Sequence, residues 1–442
     1  MNDTLFELPS PEGPPERPGV KGEPRVQRPN RTQVELRPVD LEGLLPADHR
    51  ARVVWEFVAG VELTPLYDAI KAVEGHAGRP PIDPAILMAL WLYATVEGVG
   101  SARAIARLCE AHDAYRWLCG GVSVNYHTLA DFRVQHVEFL DGVLTTSVAA
   151  LLAEGLVTLT RVAQDGVRVR ASAGAASFRR RPRLEAFLAE AEAQVEALRR
   201  ELHDDPGATT RRQAAAQQRA AAERRQRVAH ALEQLPEVEA KKKATERARA
   251  RASTTDPEAR VMKMADGGFR PAYNGQFATA TTAQVIVGVD VTNLGSDQGQ
   301  LAPMTEQLQG RYGQTPGEML IDGGYAKHED IIAVAQPEVG CTVYAPVPAP
   351  RAATRDPYQP RPGDPEAIAQ WRQRMGTEEA KTIYKERAAT AECVNALARQ
   401  RGLRQFVVRG LAKVQAVLLW VALAHNLMRA PALRRAAAGA PV

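Results

Sequence analysis

The stretch Glu318-Met-Leu-Ile-Asp-Gly-Gly-Tyr325 decides the fold, because a short apolar run ends abruptly at a carboxylate followed by two glycines. Apolar residues bounded by polar and glycine positions predict a buried strand in a sheet that is covered on both faces. Asp322 would lie at the carboxyl end of that strand, where open α/β sheets bind their ligands. Considered alone, Asp322 fits the cap of a helix over residues 326–330 better than a functional site. The rest of the chain shifts that balance.

The composition predicts a soluble protein with several domains. A chain of 442 residues corresponds to about three domains with ample core. The net charge of +4, with 56 Lys plus Arg, allows a locally basic surface. The four cysteines form no CxxC pair, which argues against a zinc site or a disulfide scaffold and favours reduced thiols in a cytosolic protein. The amino terminus lacks signal-peptide features, and the most apolar segment, residues 414–427, is too short to span a bilayer.

The amino-terminal part of the chain divides into a tail and a helical region. Residues 1–38 are rich in proline and charge, and we expect them to be disordered. Residues 39–154 have helical apolar spacing, with Asp83 as an N-cap and Pro84 as a first helical residue. We expect helices over residues 86–96, 101–111 and 125–139. Short helices joined by glycine turns suit a DNA-binding domain of the helix-turn-helix type, and an ordinary helical bundle fits them equally well.

A second carboxylate lies within a predicted strand. Residues 156–169 alternate in a β pattern, and this run contains Asp165 followed by Gly166. An acidic residue is disfavoured inside a β-branched run, so Asp165 needs a reason to be there. A surface-facing Asp at a β-bulge beside Gly166 explains it as well as a functional role does.

Residues 178–252 have a different composition, dominated by alanine, glutamate, arginine and lysine. Apolar residues at alternating steps of four and three indicate the seam of an antiparallel or dimeric coiled coil, and we expect a second helix to fold back on the first as a hairpin. Residues 177–252 contain 18 Lys plus Arg and 12 Asp plus Glu, an excess of six positive charges that is larger than the excess of the whole chain. This insertion would attract a polyanion such as DNA. A charged hairpin that serves only as a solvated arm is the alternative.

The β pattern resumes after the hairpin. We expect strands over residues 277–281, 283–291, 318–321 and 341–344, with a helix over residues 303–308 between the second and the third. A proline-rich loop over residues 346–365 follows, and the chain is then helical from residue 368 to 428. One strand before the hairpin and four after it predict a single mixed sheet flanked by helices, which is an α/β fold.

A polar helix face supplies a third carboxylate. Tyr384, Ala388, Glu392, Asn395 and Arg399 are spaced by four, four, three and four residues, and Arg387 lies on the flank of the same face. Such a face is either solvated or presents a carboxylate toward the sheet, with basic and aromatic groups beside it.

These residues in this order resemble a bacterial insertion-sequence transposase of the DDE class. The segments that carry the resemblance are Gln164-Asp-Gly166, Ile321-Asp-Gly-Gly-Tyr325, Tyr384-x-x-Arg387-x-x-x-x-Glu392-x-x-x-x-x-x-Arg399, Thr255-Asp-Pro-Glu-Ala-Arg260, Tyr273-Asn-Gly-Gln276, Asn125-Tyr-His-Thr-Leu-Ala-Asp-Phe-Arg133 and Ala424-His-Asn-Leu427. The resemblance covers residues 40–430. It departs from the family pattern in having four residues instead of three between Arg387 and Glu392, and in ending on Arg399 instead of lysine. Glu386 is therefore the alternative third acid.

The resemblance implies a ribonuclease H-like catalytic domain formed by residues 155–177 and 253–430. The other expected parts are a disordered tail (1–38), a helical DNA-binding domain (39–154), a basic helical-hairpin insertion (178–252) and a carboxyl-terminal tail (431–442). It also implies that Asp165, Asp322 and Glu392 are both the catalytic residues and the metal ligands.

The expected cofactors are two Mg²⁺ ions about 4 Å apart, with Mn²⁺ as a substitute, Asp165 bridging both ions and Asp322 and Glu392 holding one each. The residues expected to contact DNA are Tyr384, Arg387, Arg399, His127 and Arg133. A salt bridge is the alternative for the two arginines of the signature helix, and a packing role is the alternative for Tyr384 and His127.

The implied activity is metal-dependent cleavage and strand transfer at transposon ends. The partners would be double-stranded DNA, as transposon ends and as target, and a second copy of the chain in a homodimer on DNA. We expect a cytoplasmic, nucleoid-associated protein without membrane contact. Two alternatives remain open: a catalytically inactive DNA-binding protein derived from a transposase, and a metal-dependent nuclease without strand transfer.

Overall fold

The computed structural model describes residues 40–72, 80–204, 210–349 and 356–439, together with Thr32 and Val34. The predicted disorder of residues 1–38 concerns a segment that lies, apart from these two residues, outside the described part of the chain. The described residues from Leu41 onward belong to one structural unit.

The amino-terminal region is helical. Its helices are α1 (Arg50–Ala59), α2 (Thr64–Asp68), α3 (Pro84–Val96), α4 (Ala102–Ala111), α5 (Asp113–Cys119), α6 (Tyr126–Gln135) and α7 (Val137–Ala153). The predicted start of α3 is confirmed, because the Asp83 side chain accepts a hydrogen bond from the amide of Ala85 and Pro84 is the first helical residue. The single helix predicted over residues 125–139 is wrong. His136 leaves the helical conformation, and α6 and α7 meet there at an angle of 66°.

A mixed sheet forms the centre of the molecule. Its strands are β1 (Arg161–Arg170), β4 (Arg260–Lys263), β5 (Phe269–Ala280), β6 (Val285–Thr292), β7 (Glu318–Leu320) and β8 (Thr342–Tyr344), and a separate pair is formed by β2 (Phe178–Arg179) and β3 (Ala252–Ser253). The order across the sheet is β6-β5-β1-β7-β8, and β4 also pairs with β5. β5 runs antiparallel to β1, β4 and β6, whereas β1, β7 and β8 are parallel to one another. The α/β fold with one mixed sheet is therefore confirmed.

Two long helices lie between β2 and β3 in the chain. They are α8 (Arg181–Asp204) and α9 (Arg211–Ala240), and they pack against each other around a small apolar cluster that contains Leu184, Val228 and Leu235. Arg181 at the start of α8 binds both carboxylate oxygens of Glu239 at the end of α9. The two helices are therefore antiparallel, and the β2–β3 pair brings the two ends of this segment together.

The carboxyl-terminal half is broken into several helices. They are α10 (Leu301–Tyr312), α11 (His328–Val334), α12 (Glu366–Met375), α13 (Glu378–Arg387), α14 (Cys393–Gln400) and α15 (Leu411–Ala437). The prediction that the chain is helical from residue 368 to 428 is wrong at residues 401–410, which form turns with Gly402 and Gly410 at positive φ. α15 also continues to Ala437, past the predicted start of a tail at residue 431.

α15 is a core helix. Among the described helices it is the one single helix long and apolar enough to cross a bilayer, so the predicted apolar segment, residues 414–427, underestimated its length. However, 72% of its most apolar window is buried inside the protein. Its start is held by acidic residues from another segment, since the Asp256 carboxylate accepts from the amide of Gly410 and Glu258 accepts from the amide of Leu411. Farther along α15, Asn426 accepts from the amide of Ile286 and donates to the Ile286 carbonyl, and so it pairs with the outer edge of β6.

Candidate active site

Strand pairing brings Asp165 and Asp322 to the same level of the sheet. β1 and β7 are neighbouring parallel strands in which Ala163 lies opposite Leu320. Asp165 and Asp322 each follow two residues later, so both carboxylates lie just past the last β1–β7 pair, although they are far apart along the chain. The side chain of Asp165 is 17% exposed and that of Asp322 is 40% exposed.

The structural alternatives for the two aspartates, a β-bulge at Asp165 and a helix cap at Asp322, do not apply. The pairing of β1 with β5 is continuous from Val162 to Arg170, so Asp165 does not lie at a bulge. Asp322 does not cap the following helix either, because α11 begins only at His328. The Asp322 carboxylate instead accepts from the amide of Gly324 at 2.7 Å, which fixes the turn after β7.

The third carboxylate lies on a helical segment with a π-helical turn. α13 ends at Arg387, residues Ala388–Glu392 form the π turn, and α14 continues from Cys393. A π-helix closes its hydrogen bonds between residues five apart, one more than an α-helix. Glu392 is five residues after Arg387, so the π turn takes up the additional residue of the signature. It returns Glu392 to the face that carries Arg387.

The three carboxylates converge on the Arg387 guanidinium. Arg387 Nη2 lies 3.1 Å from Asp165 Oδ1 and 3.8 Å from Asp322 Oδ2, and Nη1 lies 4.0 Å from Glu392 Oε1. The other oxygen of Asp165 accepts from Asn395 Nδ2 at 2.9 Å. Two strands and one helical segment thus place their polar groups around one point.

Glu386, the alternative third acid, faces a different neighbour. Its carboxylate binds Arg161 at 2.5 Å, and Arg161 also binds Glu318 at 2.5 Å. This ion-pair cluster joins the start of β1 to the start of β7. It lies at the start of the paired segment of β1 and β7, whereas Asp165 and Asp322 follow the end of that segment, so the geometry favours Glu392 over Glu386.

Burial and charge act on Asp165 in opposite directions. Burial raises its pKa, the Arg387 guanidinium lowers it, and the neighbouring Asp322 carboxylate raises it again, with a net increase. Burial also raises the pKa of the Tyr384 phenol, which is half-buried beside Arg387. A single guanidinium therefore only partly compensates the carboxylates around it.

A buried polar layer under Asp165 contains a fourth carboxylate that sequence reasoning missed. Asp297 is 13% exposed, and its Oδ1 accepts from Asn274 Nδ2 at 2.6 Å and from Gln276 Nε2 at 3.0 Å. A Cβ atom on Gly166 would lie 2.3 Å from that same oxygen, so glycine is required for Asp297 to approach β1. The sequence feature that could have revealed this layer was the polar pair Asn274 and Gln276 inside a strand that is otherwise largely buried and apolar.

The residues predicted to contact DNA lie in different environments. Arg399 is exposed on α14, and His127 is exposed on α6 with its ring against Tyr126. Arg133 is buried instead. Its guanidinium donates to the Gly100 carbonyl at 2.8 Å and lies 4.7 Å from the Trp91 ring, so it holds α3, α6 and the turn before α4 together. The expectation that Arg133 contacts DNA is not supported by this position.

The donor chemistry fits a hard divalent cation, but the present spacing does not form a metal cage. Asp165, Asp322 and Glu392 offer only oxygen atoms, the ligands that Mg²⁺ prefers. Within residues 40–72, 80–204, 210–349 and 356–439, no three His, Cys, Asp or Glu side chains are grouped closely enough to hold a metal ion. The three carboxylates are arranged around a guanidinium.

Comparison with known families matches both ends of the described region. A family model described as a transposase domain (DUF772) matches residues 39–135, which contain α1 to α6. A second model, described as a transposase DDE domain, matches residues 352–430, which contain Arg387 and Glu392. No curated protein and no solved structure matches the chain. Two transposase models in this order, one over the amino-terminal helices and one over the helix of the third carboxylate, support the resemblance of the chain to the insertion-sequence transposases of the DDE class.

Proposed function

We propose that this protein binds the inverted repeats at transposon ends and performs metal-dependent DNA cleavage and strand transfer, with Asp165, Asp322 and Glu392 as the catalytic carboxylates. The observation that carries the proposal is their convergence, from β1, the end of β7 and the π turn, on a shared point marked by Arg387. Residues so distant along the chain have no common packing role that would bring three acids together.

The sheet supports a ribonuclease H-like core for the catalytic domain. Three antiparallel strands, β6, β5 and β1, are followed by two that run parallel to β1; Asp165 lies on β1, and Asp322 follows the end of β7. The helix that follows the sheet supplies Glu392. We propose residues 155–177 and 253–430 as this domain, with α8 and α9 as an insertion in it.

The three carboxylates would hold two Mg²⁺ ions, or Mn²⁺ in their place. When bound, such ions would supply activation of the attacking hydroxyl and neutralisation of charge on the leaving oxygen. The chain's own residues do the positioning: Asn395 and the amide of Gly166 orient the two oxygens of Asp165, and the amide of Gly324 orients Asp322. The buried layer of Asn274, Gln276 and Asp297 supports β1 from below.

DNA recognition is assigned to the amino-terminal helices and to α8 and α9. His127 and Arg103 flank Tyr126 at the exposed start of α6, and the Arg103 guanidinium lies 4.9 Å from the Tyr126 ring. Arg399 on α14 and Tyr384 beside the carboxylates are the proposed contacts near the cleaved strand. We further propose a homodimer on DNA, because two transposon ends must be cut together. We also propose that the protein acts in the cytoplasm, at the nucleoid.

The test is nicking of a plasmid that carries the DNA flanking this gene, in the presence of Mg²⁺, by wild type and by Asp322→Asn. We expect cleavage at defined ends and joined products with wild type, and neither with the variant, while both bind the ends. Cleavage without joined products would favour a nuclease. Binding without cleavage under Mg²⁺ or Mn²⁺ would contradict the proposal and favour a DNA-binding protein that has lost activity.

A further inference from the structure

We propose that Arg387 is an internal counter-cation of the carboxylate site, and that divalent metal ions and the Arg387 guanidinium compete for the same oxygens. Arg387 would neutralise the acids in the metal-free protein and leave them when metal binds. This inference rests on the proposed function, because it takes Asp165, Asp322 and Glu392 as the metal ligands.

Geometry makes the two states mutually exclusive. Arg387 Nη2 lies 3.1 Å from Asp165 Oδ1 and 3.8 Å from Asp322 Oδ2, between two of the carboxylates that would hold the metal. Mg²⁺ requires oxygen ligands at about 2.0–2.1 Å. Oxygens that surround a guanidinium cannot at once converge to that distance on an ion, which agrees with the lack of a metal-sized cluster among the described residues.

The contacts of Arg387 are those of a replaceable ion. Its side chain is only 11% exposed, yet its Nε is buried without a hydrogen-bond partner. Among its contacts with the three carboxylates, that with Asp165 alone has hydrogen-bond length, since those with Asp322 and Glu392, at 3.8 and 4.0 Å, are electrostatic. An arginine that served as a fixed clamp would be expected to bind carboxylates bidentately, as Arg181 binds Glu239.

The acids need such a cation when metal is absent. Like charges held within a few ångströms repel each other, and burial strengthens that repulsion. Asn395 keeps its hold on the second oxygen of Asp165 independently of Arg387, so the carboxylate would remain oriented after the guanidinium leaves. The released guanidinium would then be available for the phosphate contact that the sequence predicts for it.

The experiment measures Mn²⁺ binding to the full chain without DNA, by calorimetry or by electron paramagnetic resonance, together with thermal denaturation. The variants are Arg387→Gln, Arg387→Lys and Asp322→Asn. Arg161→Gln is the matched control, because Arg161 is also a partly buried arginine bound to two carboxylates but lies outside the site.

We expect Arg387→Gln to bind Mn²⁺ about tenfold more tightly than wild type, the factor that corresponds to losing one charge-assisted competitor. Its metal-free form should melt at a lower temperature, and Mn²⁺ should raise that temperature more than in wild type. Arg387→Lys, which retains the charge, should stay near the wild-type affinity. Arg161→Gln should lower the melting temperature without changing metal affinity.

If Asp322→Asn binds Mn²⁺ more weakly than wild type, the site itself binds the metal. Unchanged or weaker Mn²⁺ binding by Arg387→Gln would then overturn the proposed competition and make Arg387 a fixed clamp. If Asp322→Asn binds Mn²⁺ as wild type does, the ligand assignment is wrong, and the proposed function loses its site along with this inference. The first result leaves the proposed function intact, so the two failures are distinguishable.

Discussion

His425 is a buried residue whose charge state is set by its neighbours. Its Nε2 lies 2.8 Å from the Gln284 carbonyl, which can only accept, so Nε2 carries the proton. Nδ1 then offers its lone pair to Arg401 at 3.5 Å. Burial lowers the His425 pKa to about 4, and the positive charges of Arg401 and Arg429 act in the same direction. The imidazole is therefore neutral in the folded protein near pH 7.

This environment predicts a loss of stability in mild acid. Between pH 6.5 and pH 4 the unfolded chain binds a proton at His425 that the folded protein does not bind, so the free energy of unfolding decreases as the pH falls through this window. Between pH 7 and pH 5, the free energy of unfolding of wild type should fall by about 2 kcal/mol more than that of His425→Gln, which keeps a hydrogen-bond donor for the Gln284 carbonyl. Urea denaturation of both proteins at the two pH values measures the difference, and parallel losses would contradict it.

Individual residues of the site were predictable where chemistry and local pattern agreed. Asp165 stood out because a carboxylate is disfavoured within a β-branched run, and Asp322 stood out because it ends a buried strand, where open α/β sheets bind their ligands. Asp297 did not stand out, since an aspartate in a polar loop is ordinary in sequence, and only the β5 and β6 pairing places that loop over Gly166. Arg133 was misjudged because a motif shows which residue is present and not which way its side chain points.

The π turn explains the one departure of the signature from the family pattern. One residue added to an α-helix rotates everything beyond it by about 100°. Confining that residue to Ala388–Glu392 leaves α13 and α14 in their ordinary relative orientation, with Val394 and Ala398 still buried. The sequence revealed the additional residue but not how the helix accommodates it.

Deleting one exposed alanine from the π turn should therefore be tolerated. Removal of Ala389 converts the turn to regular α-helix and gives the common spacing between Arg387 and Glu392. We expect a melting temperature within about 3 °C of wild type, a loss on the order of 1 kcal/mol, and retained DNA cleavage. Removal of the exposed Ala396 in α14 is the control, because it rotates the end of a regular helix and should be far more destabilising. An equal fall in melting temperature from both deletions would show that the π turn does not accommodate an additional residue.

Helix breaks were the elements that the sequence predicted least well. His136 and residues 401–410 interrupt patterns that remain apolar on both sides, because each neighbouring helix buries its residues against a different partner. Hydrophobic spacing reports burial and not the direction of the chain. The strands and the start of α3 were predicted better, since alternation and capping residues are local signals.

At the scale of the whole molecule, the site depends on topology. β1 precedes the two long helices and β7 follows them, and only the parallel pairing of these strands puts Asp165 beside Asp322. Composition and spacing predicted one mixed sheet, but which strands are neighbours could be inferred only through the family resemblance. The β2–β3 pair allows the long helices to interrupt the sheet domain without separating its parts.

That pair also permits a clean deletion of α8 and α9. Replacing residues 181–249 by a short glycine-serine linker keeps both β2 and β3, whose residues Phe178 and Ser253 lie opposite each other. We expect weaker DNA binding and a smaller slope of the logarithm of affinity against the logarithm of salt concentration, because basic side chains near phosphates are removed. Titrations of labelled end DNA between 50 and 200 mM salt, about the range in which such slopes are measured, provide the test. An unchanged slope would make these helices a spacer or a dimerisation element.

The central claim is that Glu392, and not its neighbour Glu386, completes a catalytic site with Asp165 and Asp322. The most direct measurement compares Mg²⁺-dependent cleavage of end DNA by Glu392→Gln and Glu386→Gln, two variants with the same chemical change six residues apart on one helical segment. We predict that Glu392→Gln abolishes cleavage while DNA binding persists, and that Glu386→Gln cleaves after losing only its ion pair with Arg161. Cleavage by Glu392→Gln, with loss of cleavage in Glu386→Gln, would contradict the account.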